Sequence, residues 1–203
     1  RLLKKYTQQL PDNCRYACIS AGDTLQLKKQ YHLNHVDFLP AFPSWQTVTS
    51  EEGIGNFCLY HGNLAVPENE KAAIWLLENV FFKIRKPFVI AGKNPSKRLQ
   101  KIAELSQHTC LAKDPSEAEM NDLIRKAHIN VLPSFNKKVT GVRLKLLHAL
   151  YQGRHCLVND AMVKGSGLEE ACHTGTTATA FASIIMQLYN QPFTDNEILL
   201  RKK

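Results

Sequence analysis

Length, composition and charge already restrict what this chain is. Its 203 residues can bury a sizeable core, and 44% hydrophobic with 22% charged residues are typical of a globular domain rather than of a disordered chain. The formal net charge of +8 favours anionic partners, namely phosphates, nucleic acids or an acidic membrane surface, while no run of about 18 apolar residues and no signal peptide is visible.

The first fifty residues predict only short elements. Strands are expected at 15–20 and 35–39, with a helix at 23–31 between them that Asp23 would cap. Two prolines within 40–43 end regular structure, and the polar stretch 47–56 is predicted to be a linker. Because the chain begins inside a basic, helix-like segment, we expect it to be part of a longer protein.

From residue 57 onward, strands and helices alternate. Predicted strands cover 57–61, 87–91, 108–112, 129–132 and 155–159. Predicted helices cover 68–83, 96–107, a segment opened by a capping box of Ser116 and Glu119, 142–152 and 176–190. The first of these helices shows the clearest helical spacing, with apolar residues at Ala72, Ala73, Leu76, Leu77, Val80 and Phe81. This alternation predicts an α/β fold: a doubly wound, mostly parallel, Rossmann-like sheet over about 57–190.

The six cysteines contain no C-x-x-C pair, so the usual zinc or redox spacing is absent. We expect Cys58, Cys110 and Cys156 to pack as small hydrophobic residues within strands, which favours a reducing compartment, the cytosol. The pairs at 155–156 and 172–173 each join a histidine to a cysteine. Adjacent strand residues point to opposite faces and cannot ligate one ion together, so we expect no metal site.

Ligands bind open α/β sheets outside the carboxyl ends of the strands. This rule selects five loops, at 61–67, 92–96, 113–116, 133–141 and 160–167. Glycine and a cation occur together in three of them, which suggests a ligand that carries a diphosphate. Arg143 and Lys145 are expected in the first turn of a helix, where cations oppose the helix dipole by a few tenths of a kcal/mol each unless an anion is bound there.

Several nucleotide-binding classes lack their motif in this sequence. No G-x-G-x-x-G follows the first strand of the predicted sheet, which argues against NAD or FAD. The P-loop pattern G-x-x-x-x-G-K-[ST] is also missing, and the strand ends lack the acidic cluster of a receiver domain. A basic nucleic-acid-binding domain is disfavoured because the Trp and Phe residues fit buried faces.

Three segments together resemble the signature of group 1 glycosyltransferases. They are VLPSF at 131–135, TGVRLKLLHAL at 140–150 and GRHCLV at 153–158, and they are similar to the family's V-x-P-S strand end, R-L-K-x-L-E-A helix and G-x-P-V-V strand. The loops at 62–64 and 91–93 look like the family's G-x-L and V-G-x-G loops. The resemblance implies the donor-binding domain of a retaining enzyme with the GT-B fold, preceded by the end of the acceptor domain and a linker within 1–50 and followed by a tail at 191–203.

The resemblance also implies roles for particular residues. Arg143 and Lys145 would neutralise the donor diphosphate and stabilise it as a leaving group. The remaining donor-binding candidates are Gly62, Asn63, Gly92, Lys93, Gly141, Gly165, Ser166 and Gly167 along the diphosphate and sugar, Lys113 beside the base, and His148 near the ribose. Retaining enzymes of this type need no metal and no cofactor besides the donor.

Two departures from the family pattern concern its glutamates. Lys137, Lys138 and Val139 occupy the region of the first, and His148 stands in place of the second, which commonly binds the ribose. A histidine can hydrogen-bond a hydroxyl but carries no fixed negative charge. This leaves two functions open: a transferase, or a non-catalytic module that binds a nucleotide or sugar phosphate.

The transferase hypothesis predicts hexosyl or mannosyl transfer from a UDP- or GDP-sugar to an acceptor glycan or lipid-linked sugar, with retention of configuration. It implies a cytoplasmic enzyme of polysaccharide biosynthesis with no nucleic-acid partner, and peripheral membrane contact through the rest of the protein. We expect no transfer by the 203 residues alone, because the acceptor domain supplies the other wall of the cleft.

Overall fold

The computed structural model describes residues 11, 13–19, 21–40, 42–136, 143–164 and 166–202. They fall into two compact units, divided between Ser44 and Trp45. The smaller unit pairs β1 (Tyr16–Cys18) with β2 (Val36–Phe38) in parallel, and α1 (Ala21–Tyr31) connects them. Asp23 does not cap this helix as predicted. It lies inside the first turn, where its negative charge interacts favourably with the positive end of the helix dipole.

The larger unit contains one parallel sheet of six strands. These are β3 (Cys58–His61), β4 (Phe88–Gly92), β5 (Thr109–Lys113), β6 (Ile129–Leu132), β7 (His155–Val158) and β8 (His173–Thr174). Their order across the sheet is β5-β4-β3-β6-β7-β8. The predicted parallel α/β sheet is confirmed, with β8 as an additional strand. Two residues are too short for a periodic pattern, so only the pairing of β8 with β7 reveals it.

Helices alternate with the strands along the chain and cover the sheet. They are α2 (Pro67–Leu76), which continues as a π-helical turn (Leu77–Phe81), α3 (Lys97–Leu105), α4 (Glu117–Lys126), α5 (Leu144–Gln152), α6 (Asp160–Val163), a 3₁₀ turn (Glu169–Ala171), α7 (Ala178–Leu188) and α8 (Asp195–Arg201). The predicted capping box of Ser116 and Glu119 is present at α4. A second capping box, of Thr194 and Glu197, begins α8, a helix that the sequence analysis does not predict.

The strand order locates the ligand crevice. From β3 the chain proceeds outward to β4 and β5, and from β6 it proceeds the other way to β7 and β8. The sheet therefore has its topological switch point between β3 and β6, where Cys58 pairs with Ile129. In open sheets of this kind the crevice lies outside the carboxyl ends of the two central strands. That edge, after His61 and Leu132, is called the donor edge below because the sequence analysis expects a donor nucleotide there.

The core lies on both faces of the sheet. All residues of β3, β6 and β7 are buried, as expected for central parallel strands, and the six apolar positions predicted for the first helix are buried too. Cys58 and Cys156 pack in this core as predicted, but the prediction for Cys110 is wrong. Cys110 is exposed because β5 is the edge strand and its outer face is not covered. No helix in the described ranges is long and apolar enough to cross a membrane.

Candidate functional site

The first two loops of the donor edge lie directly against each other. The Gly62 amide donates to the Ala91 carbonyl at 3.1 Å, and the Leu64 amide donates to the Lys93 carbonyl at 3.0 Å. A Cβ atom on Gly92 would lie 1.9 Å from the Gly62 carbonyl oxygen, so no other residue fits there. The sequence analysis attributed Gly92 to ligand contact. The structure shows that it is needed for the contact between the two loops.

Asn69, on α2, links the first loop to the start of α5. Its amide nitrogen Nδ2 donates to the Asn63 carbonyl at 2.9 Å, and its Oδ1 accepts from Lys145 Nζ at 2.9 Å. The Tyr60 hydroxyl donates to the Asn69 carbonyl at 2.9 Å. The side chain of Asn63 is itself engaged, because its Oδ1 accepts from the Ala65 amide at 3.1 Å. Asn69 and Tyr60 therefore position Lys145 although no motif marks either of them.

Lys145 is a partly buried cation whose hydrogen-bond partners are neutral. Besides Asn69, its Nζ lies 3.4 Å from the Tyr60 hydroxyl and 5.1 Å from the centroid of that ring. Burial, and then the charge of Arg143, lower the pKa of Lys145 to about 8. None of the ion pairs in the described part of the chain includes it. Lys145 is the second residue of α5, where the helix dipole opposes a positive charge. No carboxylate in the described part of the chain compensates that charge.

Arg143 lies at the N-cap of α5, where its carbonyl accepts from the Leu146 amide at 2.8 Å. Its guanidinium extends toward the loops that follow β6 and β7. Nη2 lies 3.3 Å from the Ala161 carbonyl and 3.5 Å from the Asn136 carbonyl. Arg143 also takes part in none of the described ion pairs. The two predicted cations therefore flank the start of one helix, and both have unused charge.

His148, the fifth residue of α5, belongs to an aromatic cluster. Its ring stacks on Trp45, with ring centroids 4.2 Å apart and planes 19° from parallel. Its Nε2 lies 2.8 Å from Asn121 Oδ1. Burial lowers the pKa of His148, so the ring is neutral at pH 7. The sequence analysis did not identify Trp45, whose only signal is a large aromatic residue next to a polar linker.

His61, the last residue of β3, is another residue that the sequence analysis did not select. It is buried, its ring meets His148 edge-on, and its Nε2 has no hydrogen-bond partner in the described ranges. Burial, and then the nearby His148 and Lys145, lower the pKa of His61 to about 3. A neutral imidazole nitrogen therefore lies at the donor edge without a hydrogen-bond partner among the described residues. Its sequence signal is a polar residue that ends an otherwise apolar strand.

Comparison with known proteins now decides the family. Residues 55–191 match the family described as glycosyl transferases group 1, which is more than half of the chain. This chain belongs to the group 1 glycosyltransferases. No curated protein matches it in sequence.

Solved structures show the same GT-B glycosyltransferase fold. S. aureus TarM, crystallised with fondaparinux, α-GlcNAc-glycerol and UDP, aligns with a TM-score of 0.73 at 14% identity over 100% of this chain and 43% of its own. A trehalose-6-phosphate synthase studied for glycosyl transfer with retention aligns at 0.61, with 10% identity, over 98% and 57%. WaaG, a glycosyltransferase of lipopolysaccharide biosynthesis, aligns at 0.60, with 10% identity, over 92% and 56%. This group 1 chain thus spans 43–57% of these three chains.

The other predicted donor residues of this glycosyltransferase family member lie farther apart. Lys113 ends the edge strand β5, two strands from β3, and its Nζ donates to Gln100 Oε1 at 2.6 Å. Beside it is an open cleft of about 430 Å³, lined by Ala112, Lys113, Pro115, Glu119, Asp122, Leu123 and Lys126. Lys93 is exposed and contributes its carbonyl to the contact between the first two loops.

The loop after β7 is partly described. The Ser166 hydroxyl donates to the Val163 carbonyl at 2.6 Å and accepts from the Leu168 amide at 3.2 Å, so it closes its own turn. Gly167 has φ +79°, a conformation that favours glycine. Gly141 and Gly165 lie outside the described residues, as does the stretch that replaces the family's first glutamate.

Proposed function

We propose that this chain is the nucleotide-sugar-binding half of a retaining glycosyltransferase. Its substrate would be a UDP- or GDP-sugar, and the transferred hexosyl or mannosyl group would pass to an acceptor glycan or lipid-linked sugar. The observation that carries this proposal is the start of α5. Lys145 and Arg143 lie there, at the positive end of the helix dipole, without a compensating carboxylate in the described ranges. Such a place favours a bound anion.

The chemistry of transfer accounts for these two cations. When the bond between the sugar and the diphosphate breaks, the departing diphosphate gains negative charge. Cations and helix amides fixed in advance stabilise that charge at little cost of reorganisation. Lys145 is held by Asn69 and Tyr60, and Arg143 by carbonyls of two loops, so both are oriented before the donor binds. The two residues together supply the charge that a metal ion would otherwise supply.

The proposed base site extends toward β5. The cleft beside Lys113 lies between the carboxyl end of β5 and α4, and its volume of about 430 Å³ is large enough for a nucleoside. UDP is bound in the TarM structure, and UDP-forming activity is named for a trehalose-phosphate synthase of similar fold, which favours UDP here. All six cysteines are free, in keeping with a cytoplasmic enzyme of polysaccharide biosynthesis.

His148 supports a second candidate, a non-catalytic module that binds a nucleotide or a sugar phosphate. This histidine stands where the family commonly has the glutamate that binds ribose. Its contacts with Trp45 and Asn121 occupy one ring face and Nε2. A neutral, engaged histidine offers the ribose a weaker acceptor than a carboxylate does. On this candidate the phosphate site is intact but no sugar is transferred.

Calorimetric titration with UDP and GDP at two salt concentrations tests the phosphate site. We expect saturable binding of one nucleotide that weakens at high salt, because charge dominates it. Arg143→Ala and Lys145→Ala should each weaken binding at least about tenfold, since a hydrogen bond to a charged group contributes about 1.5–3 kcal/mol. Lys101→Ala, which removes an exposed lysine on α3, is the matched control and should change nothing. Equal affinities for all four proteins would refute the proposed site.

A turnover assay separates the two candidates. In a protein that also contains an acceptor domain, the transferase proposal predicts release of UDP or GDP that depends on the acceptor and is lost in Arg143→Ala. The module predicts the same binding isotherm without any release. Binding with no release over a broad panel of acceptors would favour the module.

A further inference from the structure

Three side chains bring ligand atoms to one point at the opposite edge of the sheet. His155 begins β7, His173 begins β8 and Glu197 lies on α8. Nδ1 of His155 is 3.0 Å from Glu197 Oε1 and 3.3 Å from His173 Nε2, and all three atoms lie within 4.8 Å of one another. Ligand atoms at about 2.0 Å from a tetrahedral ion are separated by about 3.3 Å. The two separations from His155 Nδ1 therefore suit one small divalent cation.

Contacts outside this cluster orient two of the ligand atoms. Nε2 of His155 lies 3.1 Å from the Gln191 carbonyl, which can only accept, so Nε2 carries the hydrogen and Nδ1 presents a lone pair. Oε2 of Glu197 accepts from the Thr194 amide at 2.8 Å and from the Thr194 hydroxyl at 3.0 Å, which leaves Oε1 for the cluster. Partners of this kind are typical around metal ligands, because they fix tautomer and direction.

The nearby His128 shows what a purely structural histidine looks like at the same edge. Its ring centroid lies 5.0 Å from that of His155. Its Nδ1 accepts from the Gly55 amide at 3.1 Å and its Nε2 donates to the Leu188 carbonyl at 2.8 Å. Both nitrogens of His128 are thus engaged by backbone. Nδ1 of His155 instead faces two other potential ligand atoms.

A positive species among these atoms would account for their close approach. With Nε2–H of His155 bonded to the Gln191 carbonyl, Nδ1 and the Glu197 carboxylate are both acceptors at 3.0 Å. A proton on Nδ1 could be donated to only one of its two neighbours, Glu197 Oε1 or His173 Nε2. It would also place a charged imidazolium on a side chain that is 2% exposed, which is unfavourable. A divalent cation accepts all three lone pairs at once. Two imidazoles and one carboxylate form a ligand set that suits Zn²⁺.

We propose that His155, His173 and Glu197 bind one Zn²⁺ that fastens β8 and α8 to β7, separately from the donor edge. A cavity of about 150 Å³ adjoins the three residues, and His173 is half-buried, so a water molecule can complete four-coordination. The sequence analysis argued against a site formed by an adjacent histidine and cysteine, because adjacent strand residues point to opposite faces. The two histidines nevertheless share one face, because β7 and β8 are paired neighbours.

Zinc titration of the metal-free 203-residue chain tests this site. Equilibrium dialysis with elemental analysis should give one Zn²⁺ per chain. At about 100 times the dissociation constant, Zn²⁺ should raise Tm by roughly 5–10 °C. Glu197→Gln and His173→Asn should each weaken Zn²⁺ binding by at least about 100-fold, since even outer partners of metal ligands account for about 10–100-fold. Glutamine preserves the capping box with Thr194, so Glu197→Gln should fold normally.

Control variants and a cobalt spectrum complete the test. His108→Asn removes an exposed histidine elsewhere in the same unit and keeps a residue that tolerates its φ of +64°, so it should bind Zn²⁺ as the unchanged chain does. Co²⁺ bound in place of Zn²⁺ should show no thiolate charge-transfer band. Failure to bind one Zn²⁺ per chain, unchanged binding in both ligand variants, or a thiolate band that assigns the metal to Cys156 and Cys172 would each overturn the proposal.

Discussion

The two ends of helix α5 each hold a cation, in opposite circumstances. At the C-terminal end, Arg201 of α8 donates to the Leu150 carbonyl at 3.0 Å, to the Gly153 carbonyl at 2.6 Å and to Ser50 Oγ at 2.8 Å. Free carbonyls and the negative end of the helix dipole favour a cation there. At the N-terminal end, Lys145 opposes the dipole and has two neutral partners, Asn69 and Tyr60.

The two cations therefore differ in their effect on stability: Arg201 stabilises the fold, whereas Lys145 lowers its stability. Although burial also lowers the pKa of Arg201, its guanidinium donates to the carbonyls of Leu150, Gly153 and Arg154 and so stabilises this end of the helix. Lys145 lowers stability in the absence of an anion, since burial disfavours its charged form. Residues that act against stability in this way are characteristic of binding sites. Three experiments test the contrast, from the largest expected effect to the smallest.

Removal of the cation at the C-terminal end should have the largest effect. Arg201→Ala removes the guanidinium from the Gly153 and Arg154 carbonyls, while the Leu150 carbonyl keeps Ser50 Oγ, and should lower the free energy of unfolding by about 3 kcal/mol. Urea unfolding measures this value. Lys202→Ala, at the exposed neighbouring position, is the control and should change stability by less than about 0.5 kcal/mol. A change in Arg201→Ala as small as that in the control would show that the contacts of Arg201 do not stabilise the helix end.

Removal of the cation at the N-terminal end should have the opposite sign. A pKa lowered from 10.5 to about 8 corresponds to about 3 kcal/mol against the charged lysine. Allowing for the lost hydrogen bonds, Lys145→Met should raise the free energy of unfolding by about 1–2 kcal/mol at pH 7, while UDP binding weakens. Urea unfolding and calorimetry measure the two effects. A variant that is less stable and still binds UDP would refute the contrast between the two ends of α5.

The pH dependence of this gain has a defined sign. The folded pKa of Lys145 lies below the unfolded one, so between about pH 8 and 10.5 the unfolded chain binds more protons and the stability of the lysine protein rises with pH. The advantage of Lys145→Met should therefore be full below pH 8 and shrink to nothing by about pH 10.5. Paired unfolding curves of the two proteins at each pH isolate Lys145 from other titrating groups.

UDP affinity should show a smaller effect than the stability loss of Arg201→Ala. If the charged form of Lys145 binds the diphosphate as proposed, affinity should be constant below about pH 8 and fall as the free lysine loses its proton above that value. Between pH 7 and pH 9 the loss should be about tenfold, or about 1.4 kcal/mol. Calorimetry at both pH values measures it, with Lys145→Met as the control in which the dependence disappears. An affinity that rises with pH would contradict a role for the lysine charge.

Local patterns predicted much of the larger unit. The apolar spacing of α2 and the π-helical turn after it predicts six buried positions, all of them confirmed, because burial of one helix face follows from helical periodicity. The same patterns do not reveal β8, which has only two residues. They also place α8 in the C-terminal tail, although its capping box TDNE is visible in the sequence. Cys110 was assigned to the core because an edge strand has the same pattern as a central one.

The sequence by itself determined the class of the fold, the family and the two cations at the start of α5. Each of these depends on residues close together in the chain, whose spacing within one strand, helix or loop is set by backbone geometry. Only the tertiary structure decided what surrounds those cations. Lys145 meets Asn69 across 76 residues. His155 and Glu197 meet because a late helix packs beside β7. Such pairings follow from strand order and crossover packing, which no local spacing specifies.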